Sequence, residues 1–297
     1  MTAHALRTLL HLGLARREAD EFFALAAVQR ADGGWSSQVD DPPSAVWVSA
    51  FAALMVARAN RILHENGLTR AFERSVDFFL ASQGADGTWR DPPTWTTLDA
   101  TSHPLSFLHV ARGQEHRNRA EEIGRAAERA LAFILPRQAP DGAWREPEFR
   151  SPGRVVASGS PVEMTAHLLE DSLAGVLHAG GNPAVGRAAE GAARWLTDHQ
   201  GLEGSWDGDN VDHTMDAARA LMLVGRLLPA LEVSATVERT IRWLLRIKSP
   251  VGWGDFPGEE ANVERTCDGV DTLIKYRAYL DADPGAIVRL WGYVAGV

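Results

Sequence analysis

Two kinds of apolar segment alternate along the chain. Segments 44–60, 98–112, 162–179, 211–229 and 266–280 carry few charges, and each is followed by one whose charges recur on a single face: 67–83, 117–138, 183–199, 231–248 and 284–296. The stretch NRAEEIGRAAERALAFIL shows the second pattern, with polar positions returning at helical period. The first kind predicts helices covered on most sides, and the second predicts helices with one face in water. Two further segments, 2–13 and 16–29, bring the total to about twelve helices, and no substantial sheet is expected.

A short motif marks the junctions between helix pairs. It reads Gln29-x-x-Asp32-Gly33-x-Trp35, Gln83-x-x-Asp86-Gly87-x-Trp89, Gln138-x-x-Asp141-Gly142-x-Trp144 and Gln200-x-x-Glu203-Gly204-x-Trp206, with a worn fifth copy at Gly252-Trp253. The physics of these residues is structural. Gln can pair with exposed backbone groups at helix ends, an acid followed by Gly makes a tight turn, and Trp buries a large ring between repeats. Trp195 and Trp243, at matching places before the motif, read as packing residues too. Six inner and six outer helices can close on themselves, which removes the ends that an open solenoid must cap. The expected fold is therefore all-α, an α6/α6 toroid spanning 1–297 as one domain.

Composition narrows the function. With 45% hydrophobic and 23% charged residues the chain has ample core. A net charge of −9 argues against sequence-independent nucleic-acid binding, which needs a basic surface. The lone Cys267 fits a reducing compartment. The N-terminus, broken by His4, Arg7 and His11, reads as a core helix, no apolar run suggests a transmembrane segment, and a cytoplasmic location is expected.

The Q-x-x-D-G-x-W repeat resembles that of squalene and oxidosqualene cyclases, class II diterpene cyclases and protein prenyltransferase β subunits, over about residues 16 to 281. Those families share an α/α toroid. In such a ring the loop after each Trp leads into an inner helix, so the first turns of the inner helices converge at one mouth. There the sequence repeats itself as Leu98-Asp99-Ala-Thr101, Val162-Glu163-Met-Thr165, Val211-Asp212-His213-Thr214 and Cys267-Asp268-Gly-Val270, with Ser49 at the matching place in the first repeat. Acids at such positions can simply cap helices. Four around one ring would also crowd negative charge, raise at least one pKa and supply a general acid.

Class II cyclases carry their proton donor in a D-x-D-D-T-[AS] pattern, which Thr97-Leu98-Asp99-Ala100-Thr101-Ser102 resembles, with Asp99 on the donor position and Thr97 and Ala100 in place of the flanking acids. Such an acid is better matched to an epoxide, enol ether or polarised olefin than to a bare alkene. Asp268-Gly269-Val270 resembles the Asp-x-Cys of the prenyltransferase zinc site, but Val270 stands where the thiolate belongs. No zinc–cysteine site, no metal and no cofactor are expected. Class I terpene chemistry is not expected either, since no acid-rich magnesium motif is visible.

Acid and His also recur at i,i+4, as Asp99/His103 and Glu163/His167, with Asp216 after Asp212 and His213 beside it. Such pairs share a helix face and suit acid/base work or a divalent ion. Ser106, Glu170 or Asp171, Arg219 and Lys275 lie deeper on the same faces. Trp47, Phe51, Trp95, Phe107, Phe149 and Tyr276 are the aromatics that could line the cavity, or else are plain core. The catalytic candidates are thus Asp99, His103, Glu163, His167, Asp212 and Asp268, with His213, Asp216, Arg219 and the aromatics as substrate contacts. The leading expectation is a small cyclase or isomerase acting on a hydrophobic or partly isoprenoid substrate, recognised by an apolar pocket behind Asp99. The alternatives are a toroid enzyme using acid/His pairs on a polar substrate, and a non-catalytic toroid that binds a lipid or a partner.

Overall fold

A computed structural model describes residues 3–36, 44–90, 97–114, 117–146, 149–151, 154–157, 159–283 and 285–292. The inner layer consists of α1 (Ala3–His11), α3 (Val46–Leu63), α5 (Thr97–Arg112), α7 (Pro161–His167) continued by α8 (Ala174–His178), α10 (Val211–Leu227) and α12 (Val263–Leu280). Each packs on the next, and α12 packs back on α1, so the ring closes. Outside it lie α2 (Ala19–Ala27), α4 (Asn66–Ser82), α6 (Arg117–Ile134), α9 (Pro183–Asp198) and α11 (Ser234–Ile247). The two segment types of the sequence are these two layers. In α10 every residue from His213 to Val224 is buried, whereas α11 buries Thr236, Val237, Thr240, Ile241, Trp243 and Leu244 along one stripe.

Each motif residue has a defined job in the ring. The indole Nε1 of Trp35, Trp89, Trp144 and Trp206 donates to the carbonyl ten residues earlier, at 2.9–3.0 Å, and the worn copy keeps this bond from Trp253 to Leu244. The Gln side chain donates both to its own turn and to the following outer helix, as Gln83 does to Gly87 O and Ala126 O. Gly33, Gly87, Gly142 and Gly204 have φ between +84° and +108°, and a Cβ on any of them would collide with a carbonyl of that same helix. Glycine is required there twice over, by conformation and by close approach. The Trp backbone N–H is received by a hydroxyl on the first turns of the inner helix: Ser49, Thr101, Thr165, Thr214 and Thr266.

Three features depart from the sequence reading. The segment 284–296 does not supply a sixth outer helix: in its described part, a π turn at Ile287–Trp291 buries Leu290 and Trp291 at the end of the barrel away from the mouth. It is anchored there by Arg58 and Arg61, which donate to the Arg289 and Gly292 carbonyls, so its apolar stripe answers to the barrel floor. Secondly, an antiparallel ribbon joins Phe149–Ser151 to Arg154–Ala157. Thirdly, α3 is long and apolar enough to cross a membrane by length and composition. Its apolar residues are used instead to pack inside the ring.

A π turn at Leu168–Leu173 links α7 to α8. On this turn two consecutive residues, Glu170 and Asp171, both line the barrel interior.

Candidate active site

The five hydroxyls that receive the Trp N–H groups set a common register for the inner helices. Two residues before them stand Trp47, Asp99, Glu163, Asp212 and Glu264, and two residues after them Phe51, His103, His167, Asp216 and Asp268. Asp268 therefore lies a turn deeper than the other three expected mouth acids, because Thr266 and not Val270 is the counterpart of Thr101. Helix capping does not occupy these acids either. Leu98 N donates to Glu146, and Ser160, Asn210 and Asn262 cap α7, α10 and α12. Freed of that task, the acids and histidines turn to one another inside the ring.

At the mouth, His213 Nε2 lies 3.3 Å from Glu163 and its Nδ1 2.7 Å from Asp207, while Arg265 bridges Asp212 at 2.7 Å and Asp268 at 3.0 Å. Asp99 is buried at the centre. Its Oδ1 is 2.9 Å from His167 Nδ1 and 3.6 Å from His103 Nε2. The opposite nitrogen of His103 meets Asp171 at 3.1 Å, and that of His167 meets Asp216 at 3.2 Å. Asp216 pairs in turn with Arg219. Below, Lys275 lies 3.1 Å from Glu170 and 3.7 Å from Asp271, and Trp291 Nε1 donates to Glu170 at 2.7 Å. From α1, His4 and Arg7 reach Asp268, and Arg7 and His11 reach Asp271. The space left between these side chains is about 70 Å³, room for a few water molecules. The apolar pocket expected behind Asp99 is thus replaced by an ion-paired one.

Electrostatics divides these groups into acids and bases. Burial alone would raise the Asp99 pKa, but the charges and hydrogen bonds of His103 and His167 overcome it and hold the carboxyl well below the ordinary range. Burial would likewise lower His103, yet the Asp99 charge and the Asp171 and Asp99 hydrogen bonds push it up to about 9. His167 is raised well above its ordinary value against burial, by Asp216 and Asp99. The centre therefore rests as a carboxylate between two imidazolium rings, with its mobile protons on nitrogen. The carboxyl whose pKa rises is Asp212, to about 7, through burial and the neighbouring Asp216 charge and against Arg265.

Solved structures place this ring among known toroids. The type II terpene cyclase MstE from Scytonema superposes with a TM-score of 0.63 over 93% of this chain and 88% of its own, at 14% identity. An ent-copalyl diphosphate synthase from Streptomyces platensis gives 0.62 over 94% of this chain and 50% of that one, at 21% identity. The likeness shows the fold, an α/α toroid of the kind these cyclases have. A polysaccharide lyase also shares it, with a TM-score of 0.61 over 94% and 90% of the two chains at 12% identity. In sequence, a drimenyl diphosphate synthase of Streptomyces showdoensis is 30% identical over 126 residues, which are 42% of this chain and 22% of the relative. The match thus spans about a fifth of that relative, and this chain about half of the copalyl synthase. No protein-family profile matches the chain.

Within this toroid several expected contacts are redirected. His167 pairs with Asp99 and Asp216 on neighbouring helices, and its expected partner Glu163 hydrogen-bonds His213 instead, while the expected i,i+4 pair of Asp99 and His103 is kept at 3.6 Å. Phe107 is fully buried against Phe72 and Phe79 of α4, away from the cavity. Tyr276 lines an outer groove with Glu238 and Tyr279. Phe51 does line the cavity, stacked on His4 and tilted against His103, and Trp47 is half-buried one turn above it. Trp95 lies outside the described residues, and of Phe149 only the backbone is described. His4, Arg7 and His11 were missed as site residues, although their spacing puts them on one helix face.

The histidines set an expected pH profile for stability in metal-free protein. Burial would lower His213, but the hydrogen bonds its ring donates to Asp207 and Glu163 push it up to about 10. With His103 it contributes stability that is complete below about 6.5 and lost as pH rises through about 9 to 10. Burial dominates at His11 and His109 and lowers both to about 4, so their neutral rings favour unfolding as pH falls from about 6.5 to 4. Melting temperature should therefore peak near pH 6.5. A monotonic rise to pH 9 would contradict the imidazolium assignment.

Proposed function

We propose that the protein is a single-toroid cyclase or isomerase of the class II terpene cyclase kind, protonating an isoprenoid or partly isoprenoid substrate at the barrel centre. The observation that carries this reading is Asp99, which falls on the donor position of the stretch 97–102, is buried inside the ring, and is held between His103 and His167. The proton rests on imidazole, so the acid strength is that of an imidazolium acting with the Asp99 carboxylate. Such an acid suits an epoxide, enol ether or polarised olefin. Once the proton has moved, Asp216, Glu170 and Asp171, which line the cavity, would face the cation that forms.

The likeness of the ring to that of MstE supports a cyclase reading. MstE variants have been solved with geranylgeranyl dihydroxybenzoate, a substrate with an isoprenoid chain and a polar aromatic head. A head of that kind suits the charged wall here. Arg7, Arg219 and Lys275 are already matched by carboxylates, which leaves them poorly placed to receive a diphosphate. We place the activity in the cytoplasm, in keeping with the single cysteine.

The test is turnover in deuterated water with prenylated hydroxybenzoates and terminal isoprenoid epoxides. Acid-initiated cyclisation puts one solvent deuteron on carbon when an olefin is protonated, whereas an opened epoxide takes its proton on the new hydroxyl oxygen and is read as ring-closed alcohol. Cyclised product from the prenylated hydroxybenzoates without carbon-bound deuterium, with the epoxides recovered unopened, would sink the proposal. The narrow, ion-paired cavity favours a second reading, acid/base chemistry on a polar substrate in a toroid that a polysaccharide lyase shares. Cleavage of acidic oligosaccharides with no isoprenoid turnover would establish that alternative, and failure of both substrate classes would leave a binding toroid.

A further inference from the structure

The centre of the barrel also has the composition of a metal site. Asp99, His103 and His167 can each offer one donor atom, and the three atoms lie within 4.8 Å of one another. The ring atoms facing Asp99 Oδ1 are His103 Nε2 at 3.6 Å and His167 Nδ1 at 2.9 Å. Bonds of about 2.0–2.1 Å at tetrahedral angles put ligand atoms about 3.4 Å apart, so small side-chain rotations suffice to close the set.

Two independent observations separate this trio from an ordinary ion pair. Each imidazole has its other nitrogen on a second carboxylate, His103 on Asp171 at 3.1 Å and His167 on Asp216 at 3.2 Å. That is the arrangement by which proteins fix the tautomer and aim of a metal-binding histidine. The charges agree with it. Asp99, Asp171 and Asp216 bring three negative charges, Arg219 offsets one through Asp216, and two remain for a divalent cation. The central space adjoins His103 and His167, so a fourth position stays open to water or substrate, as in catalytic zinc sites. The other cluster of similar make-up, His4 with Glu264 and Asp268, is instead claimed by Arg7 and Arg265 on Asp268.

We propose that Asp99, His103 and His167 bind one divalent transition-metal ion of the zinc type, with Asp171 and Asp216 orienting the two imidazoles. This departs from the expectation of a metal-free site. It rests on the proposed function only in placing the chemistry at the same centre, where a metal-bound water would replace imidazolium as the acid.

The experiment is titration of chelator-stripped protein with Co²⁺, followed by visible d–d absorption and calorimetry, with circular dichroism to verify folding of each variant. The expected result is one Co²⁺ per chain with four- or five-coordinate bands, displaced by Zn²⁺. His103→Ala and His167→Ala should abolish the bands, and Asp171→Asn should weaken binding about 10- to 100-fold, as loss of an outer-shell partner does. Absence of bands in the folded wild type, or bands that survive in the folded double variant lacking both histidines, would overturn the site. Co²⁺ binding without isoprenoid turnover would uphold the site while sinking the cyclase reading, and deuterated product from protein that binds no Co²⁺ would do the reverse.

Discussion

Replacing Trp89 by alanine should destabilise the protein by about 3–5 kcal/mol, the range for truncating a buried large aromatic. Trp89 is fully buried, and its indole N–H bonds the Phe79 carbonyl at 2.9 Å while its backbone N–H bonds Thr101 at 3.2 Å. The ring therefore ties the end of α4 to the start of α5, and its loss leaves a cavity at a joint between repeats. Denaturant unfolding measures the effect. Should the alanine variant fail to fold, Trp89→Phe keeps most of the ring and strands the Phe79 carbonyl, at a cost of about 1–3 kcal/mol. A change below about 1 kcal/mol in Trp89→Ala would mean that the motif does not hold the ring together. The exposed Leu202 provides the comparison, because its truncation should fall within about 0.5 kcal/mol of zero.

The fold was legible because its joints repeat. Four copies of one motif at fixed spacing announce a helix-pair unit, and the contrast between sparsely charged and one-face-charged segments announces which helix lies inside. The C-terminal segment escaped because an apolar stripe that covers a barrel floor looks the same as one that covers an outer wall. The site was legible in part for a related reason. The acids and histidines of α5, α7 and α10 stand at repeated positions, but their partners were sought at i,i+4 on the same helix. That finds Asp99 and His103, but in a closed ring the neighbouring helix supplies further partners, so Asp99 also meets His167 and Glu163 meets His213. Thr101 illustrates the limit of motif reading: its hydroxyl receives the Trp89 N–H, as Thr165 and Thr214 do in other repeats. The Thr of the donor-like stretch is thus part of the joint, and only Asp99 bears on chemistry. Phase was the other weakness, since a shift of one residue in helical phase sends Phe107 to the outer layer and Tyr276 to an outer groove.

Asp99→Asn should lower turnover about 10²- to 10⁴-fold, the usual contribution of a general acid/base group, in protein whose circular dichroism is unchanged. Asparagine keeps the size of the side chain but removes the charge that holds His103 and His167 protonated. Both imidazoles should then titrate closer to their ordinary range, which NMR of the ring protons can follow. Stability should change with a particular pH dependence. The pairing of Asp99 with His103 is present while the ring is charged, fully so below about pH 6.5, and fades as pH rises through about 9. The melting-temperature gap between wild type and Asp99→Asn should therefore be widest near pH 6 and shrink by pH 9. A residue that merely packed would give a gap independent of pH. Glu163→Gln removes a mouth carboxylate that pairs with His213 and serves as the comparison, with a smaller loss of turnover expected. If Asp99→Asn keeps near-full activity while Glu163→Gln or His167→Ala loses it, the proton does not come through Asp99, and the chemistry belongs to the Glu163–His213 pair or the His167–Asp216 pair on a polar substrate.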